Sequence, residues 1–120
     1  MPHEDTYELY AKGMELLESG DFAAAAVPLR KVAAREPEKS SVREALGRAL
    51  FRSRRFGEAA TEFEAVVERN PTNDFAQFCL GRALSLSGRK EQARRHLAIA
   101  ANLRPDRGDY RAYQQRLRAS

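Results

Sequence analysis

The sequence predicts an all-α protein, a right-handed α-solenoid in which one helix-turn-helix unit is stacked three times. Three observations predict it. First, glycine recurs at Gly13, Gly47 and Gly81, proline at Pro37, Pro71 and Pro105, and alanine at Ala25, Ala59 and Ala93, each 34 residues after the last. A fixed period of that length marks an array of one repeated supersecondary unit. Second, the apolar residues inside each unit follow helical spacing. Third, nothing suggests a sheet: no stretch alternates apolar and polar residues for long, and no Asn-Gly or Asp-Gly hairpin turn occurs.

The elements follow in order. Residues 1–5 form a short tail. The first unit, 6–39, places helices at 6–19 and 22–35; Pro28 lies inside the second and removes a backbone donor, so a kink or a lost hydrogen bond is expected near Ala24. The second unit, 40–73, is the cleanest. Val42, Leu46, Ala49 and Leu50 form one apolar stripe, and Ala59, Phe63, Val66 and Val67 form another, predicting helices at 40–53 and 56–69. Ser40 or Ser41 is expected to cap the first, and Asn70-Pro71 ends the second, because the residue before proline avoids the helical region. The third unit, 74–107, repeats the pattern with helices at 74–87 and 90–103. Gly47 and Ala59 are expected to face each other inside the hairpin, since glycine in a helix costs about 0.5–1 kcal/mol relative to alanine and close packing is the reason to keep it. Residues 108–120 carry Tyr110, Tyr113 and Leu117 on one face of a helix at 108–118, with Gln115 where the next glycine would stand. A helix that caps the last unit is expected, not a fourth repeat.

The residues at fixed phase resemble the tetratricopeptide repeat. Leu46-Gly47, Leu50, Ala59, Phe63 and Pro71 follow that family's pattern; Leu80-Gly81, Leu84, Ala93, Leu97 and Pro105 repeat it, as do Lys12-Gly13, Leu16, Ala25, Leu29 and Pro37. The three units cover 102 of 120 residues. The family's early tryptophan is replaced by Leu9, Arg43 and Gln77.

Composition narrows the function classes. The length suits one domain. The longest uninterrupted apolar run, Phe22–Val27, is too short to span a membrane, and no basic-then-apolar leader is present. The single cysteine, Cys79, excludes an internal disulfide and suits a reducing cytoplasm. Arginine outnumbers lysine 17 to 4 and alanine is abundant, which suggests a GC-rich bacterial genome. Charge is polarised: residues 1–40 carry a net −3, residues 41–80 zero and residues 81–120 a net +7. In a rod-like array, position in sequence is position in space, so the molecule is expected to be electrically polar.

No catalytic constellation is visible, so no enzymatic activity is expected. His3 lies in the tail and His96 midway along a second-type helix, too far apart for a metal pair or a base with its nucleophile. The pairs Glu58, Glu62 and Glu64, Glu68 read as exposed helix faces. There is no phosphate loop and no dinucleotide fingerprint, and no cofactor is expected. Arginine clusters at Arg52, Arg54, Arg55 and at Arg89, Lys90, Arg94, Arg95 raise nucleic-acid binding, but no aromatic residues interleave with them.

The family resemblance implies that the first helix of each unit lines a concave groove and the second covers the outside. By position, the groove then presents Tyr7, Tyr10, Met14 and Leu17, then Ser41, Glu44, Arg48, Phe51 and Arg52, then Phe75, Phe78, Arg82 and Ser85. Tyr7 with Tyr10 and Phe75 with Phe78 are apolar groups beyond what the repeat requires, which points to a partner; packing between neighbouring first helices, or beneath the C-terminal helix, is the alternative. Relatives that grip chaperone C-terminal carboxylates use lysine, asparagine and arginine at positions held here by Tyr10, Met14, Ala45, Phe75 and Cys79, so that role is not supported. The expected partner is a protein or peptide with apolar anchors and acidic residues, bound by a cytoplasmic adaptor. A self-associating array, joined through the groove or the basic C-terminal end, is the runner-up, and nucleic-acid binding ranks third.

Overall fold

The computed structural model describes residues 5–119, and among them the chain forms seven helices and no strand: α1 (Thr6–Glu18), α2 (Phe22–Arg35), α3 (Ser40–Arg52), α4 (Phe56–Arg69), α5 (Asp74–Leu86), α6 (Lys90–Leu103) and α7 (Gly108–Ala119). Each helix packs chiefly on its neighbours in sequence, so order along the chain is order in space. The result is an elongated all-α solenoid measuring 54 × 24 × 23 Å.

The turns inside the hairpins recur with the same period. The amide of Asp21 donates to the Leu16 carbonyl at 2.9 Å, Arg55 to Leu50 at 2.9 Å and Arg89 to Leu84 at 2.8 Å. This bond closes a helix end through a residue in the left-handed region. Gly20 (φ 86°) and Gly88 (φ 88°) fill that place at no steric cost, whereas the middle turn uses Arg54 at φ 65°.

Other local expectations are modified. Ser40 lies inside α3 and the residue before it, Lys39, makes no side-chain cap; Asp5 caps α1 and Asn73 caps α5, accepting from the amides of Tyr7 and Ala76 at 3.0 Å each. Helix α2 runs from Phe22 to Arg35 with the buried Pro28 inside it. The atoms nearest to Gly47 belong to Phe63: a Cβ at residue 47 would lie 2.9 Å from Phe63 Cζ. Gly13 meets Leu29 and Gly81 meets Leu97 in the same way. The absent side chain therefore admits the large residue of the second helix, and Ala25, Ala59 and Ala93, all fully buried, let the helices close one turn earlier.

The core runs between first and second helices along the whole rod, through Leu29, Leu46, Leu50, Phe63, Leu80, Leu84 and Leu97. At its end Tyr110 of α7 is completely buried; its ring stacks on Phe78 with centroids 4.5 Å apart, and its hydroxyl donates to Asp74 Oδ2 at 2.7 Å. Glu62 departs from its expected exposure. It is buried and accepts a 3.0 Å bond from Arg43, whose Nε donates to the Pro37 carbonyl at 2.9 Å.

Candidate peptide-binding groove

The inner faces of α1, α3 and α5 border an open cavity of about 500 Å³. Of the residues expected in the groove, Leu17, Arg48, Phe51, Arg52, Phe75, Phe78 and Arg82 all line it. Helical spacing brings them together: Arg48, Phe51 and Arg52 rise from one face of α3, and Phe75, Phe78 and Arg82 from one face of α5. Glu18, Gly20, Phe22, Phe63 and Cys79 complete the wall. Phe22 was not expected here because it opens a second-type helix; just after the short turn at Gly20, its ring lies under the Arg52 guanidinium, 4.3 Å from the ring centroid.

The aromatic residues split into different environments. Tyr7 is 76% exposed and Phe75 38%. Tyr7 and Tyr10 line a separate depression, also about 500 Å³, bounded by Ser41, Val42 and the loop after α2. They therefore do not share a cavity with the α5 pair. Phe78 was expected off the structural stripe, yet only 7% of it is exposed: it is stacked on Tyr110 and meets Tyr113 edge-on at 5.3 Å. It joins α5 to α7 and offers the cavity only part of its ring. Met14 is half-buried against the core and Glu44 half-buried on α3, outside both of these depressions; Ser85 lines a third, smaller depression beside α7.

The electrostatics of the two faces differ. On the outside and in the loops, some arginines find carboxylates, Arg30 and Arg55 sharing Glu58, Arg104 meeting Asp106 and Arg107 meeting Asp109, whereas Arg54, Arg69, Arg94 and Arg95 form no ion pair among the described residues. Among the described residues, none of Arg48, Arg52 and Arg82 is in an ion pair. Arg82 instead lies against aromatic faces, its guanidinium carbon 4.9 Å from the Phe51 centroid and 4.6 Å from that of Tyr113. Its Nε is buried without a hydrogen-bond partner. Cys79, in the wall of the same cavity, is no nucleophile: burial, aided by the negative charge of Glu44, pushes its thiol up to about 12. No group of three or more potential metal ligands occurs among the described residues, and no described helix is long and apolar enough to cross a membrane.

Two family models, both described as tetratricopeptide repeat, match the chain over residues 10–74 and 50–117, each more than half of its length. The chain belongs to the tetratricopeptide repeat family. Solved structures with this solenoid include MamA 41-end from Desulfovibrio magneticus RS-1, 24% identical, with a TM-score of 0.91 over 96% of this chain and 65% of that one. The first tetratricopeptide repeat domain of Spaghetti (RPAP3), bound to the HSP90 peptide SRMEEVD, is 18% identical, with a TM-score of 0.85 over 95% of this chain and 90% of that one. YrrB, described as having an unusual peptide-binding site, is 21% identical, with a TM-score of 0.85 over 94% of this chain and 58% of that one. The chain thus spans less than two thirds of the MamA and YrrB structures. At these identities the likeness establishes the solenoid. No curated protein sequence matches the chain.

Within the tetratricopeptide repeat framework, the residues replacing the early tryptophan have a visible task. Arg43 bridges the Pro37 carbonyl to Glu62, and Gln77 bridges the Pro71 carbonyl, 2.9 Å from its Nε2, to His96 Nδ1, 2.7 Å from its Oε1. Arg111 of α7 donates to the Pro105 carbonyl at 2.9 Å. One phase of the repeat thus ties each inter-repeat loop to the helix that follows. His96, expected on the outer surface, is half-buried as part of this link.

Proposed function

We propose that the protein is an adaptor that holds a segment of another protein in the groove of α1, α3 and α5, and does no chemistry of its own. The observation that carries this reading is the gathering of Arg48, Arg52 and Arg82, none of them in an ion pair among the described residues, beside Phe51 and Phe75 around one cavity. Leaving three cations unpaired around an apolar cavity suits a ligand that brings an apolar anchor and one or two acidic residues. Tetratricopeptide repeat structures bound to a peptide or having a peptide-binding site, RPAP3 and YrrB among them, support a protein-interaction role. The chaperone-tail mode fits poorly, because Tyr10, Met14, Ala45, Phe75 and Cys79 offer no strong donor at its positions. The lone Cys79 and the arginine-rich composition are consistent with a bacterial cytoplasm.

The test is capture of partners from native cells by the wild type and by variants. Phe75→Ala and Arg48→Glu should each reduce capture at least about tenfold while the helical signal is retained. Undiminished capture by both variants contradicts groove binding.

A second reading rests on the opposite end of the molecule. Arg89, Lys90, Arg94 and Arg95 form no ion pair among the described residues, at the end with the net +7, while the other end carries a net −3. Head-to-tail association of copies would use that polarity. Light scattering separates the readings: association that dissolves in high salt supports the second, and a monomer at all salt concentrations removes it.

A further inference from the structure

We propose that Arg82 is the carboxylate-reading residue of the groove and that α7 completes its seat through Tyr113. The proposal rests on groove binding and specifies its chemistry. The Arg82 side chain leaves α5 and runs between the Phe51 ring of α3 and the Tyr113 ring of α7, with Phe78 5.9 Å away beneath it. Three helices therefore fix one guanidinium. Its Nε is buried and unpaired, and no protein acceptor engages its terminal nitrogens. The same side chain lines both the main cavity and the depression beside α7, so it stands in the wall between them.

The physical consequence is preorganisation. Rings on its flanks immobilise the guanidinium without neutralising it, because a π face attracts the cation but supplies no hydrogen-bond acceptor. A carboxylate arriving from the cavity meets a planar fork that is already oriented, and two parallel charge-assisted bonds form with little further ordering. Arg48 lines the same cavity, and its charge, like that of Arg82, is felt by the Cys79 thiol against the opposing charge of Glu44. The ligand group is a carboxylate of a bound peptide, whether an Asp or Glu side chain or the chain's C-terminus. Tyr113 is a positioning residue: it touches Arg82, not the ligand. α7 then serves the site as well as closing the core.

The experiment begins with selection of binders from a random peptide library displayed on phage, using the wild-type protein. A selected peptide is synthesised as such, with its acidic side chains changed to amides, and with its C-terminus amidated, and each form is measured by fluorescence anisotropy. The expected result is enrichment of acidic residues beside an apolar one, and a loss of about tenfold or more when the relevant carboxylate is neutralised. The form that loses binding identifies the carboxylate as side-chain or terminal. Arg82→Lys should lose as much, because a lysine offers no fork, and the neutral peptide should bind wild type and Arg82→Lys equally. Tyr113→Leu keeps apolar volume against Phe78 but removes the ring over Arg82; it should weaken the acidic peptide several-fold and leave the neutral one unchanged. Thermal melts accompany each variant. If apolar peptides without acids are selected, or if Arg82→Lys binds the acidic form as well as wild type does, the Arg82 seat is overturned while groove binding stands. If no peptide is selected, or if Phe75→Ala leaves binding intact, groove binding itself falls.

Discussion

At Gly81 a methyl group has nowhere to go. A Cβ there would lie 2.7 Å from two Leu97 side-chain atoms and 3.2 Å from the Leu97 backbone nitrogen, whereas at Gly47 the near atoms are all at the tip of the Phe63 ring, 2.9–3.1 Å away. A ring tip can tilt; a backbone amide cannot. Overpacking costs about 1–3 kcal/mol, partly offset by alanine's helix preference of about 1 kcal/mol. Gly81→Ala should therefore destabilise more than Gly47→Ala in urea denaturation, and the reverse ranking would show that α6 yields at Leu97. His96 gives a pH dependence. Burial, then the positive charge of Arg95, lowers its pKa, and Gln77 fixes its tautomer: with Gln77 Nε2 donating to the Pro71 carbonyl, Oε1 must accept from His96 Nδ1–H. An unfolded histidine titrates near about 6.5. Above that, neither state is charged and stability is full. As pH falls from there toward the lower folded value, the unfolded chain takes up a proton the folded chain refuses, so stability declines. Melting temperatures between about pH 7.5 and 5 should fall more steeply for wild type than for His96→Gln; parallel curves contradict the assignment.

At the scale of the element, turns and the last helix carry the informative strain and packing. Arg54 occupies a left-handed position where the sister turns have Gly20 and Gly88. Left-handed backbone costs a non-glycine residue about 1–2 kcal/mol, so Arg54→Gly should raise the denaturation midpoint. A lower midpoint would mean that the contact of Arg54 with the Phe56 ring, 5.6 Å to its centroid, outweighs the strain. Deleting residues 108–120 should uncover Phe78 and the end of the core, lowering both melting temperature and solubility; a truncated chain as stable as the full one would make α7 an appendage. Helix positions were legible from sequence because a 34-residue period fixes all units once one is read, and observed ends differ from the expected ones by a single residue at most. Pairings across a hairpin were not. Arg43–Glu62 and Gln77–His96 each join residues 19 apart, a separation with no signature on a single helix. Phe78 was misplaced for a related reason: an aromatic on the inner face is exposed or buried according to what the next first-type helix sets against it, and at α7 those residues are Tyr110 and Tyr113.

At the scale of the whole molecule, the solenoid converts a repeated local pattern into a long surface with two unlike faces. The repeat dictates the buried side of every helix, so its phase could be read directly, and seven of the proposed groove residues line one cavity as a result. What the repeat does not dictate is which cations remain unpaired, because that depends on where carboxylates of neighbouring helices fall. The arginines of the inner face form no ion pair among the described residues, and their gathering around one cavity underlies the proposed function. The most direct test is amide chemical-shift mapping of the full chain titrated with a peptide selected from the random library. Groove binding predicts that the shifting amides cluster on α3 and α5, around Arg48, Phe51, Cys79 and Arg82, and fade when Phe75 is replaced by alanine. Shifts confined to the outer helices α4 and α6, or to Arg89–Arg95, with the inner face silent, would contradict it.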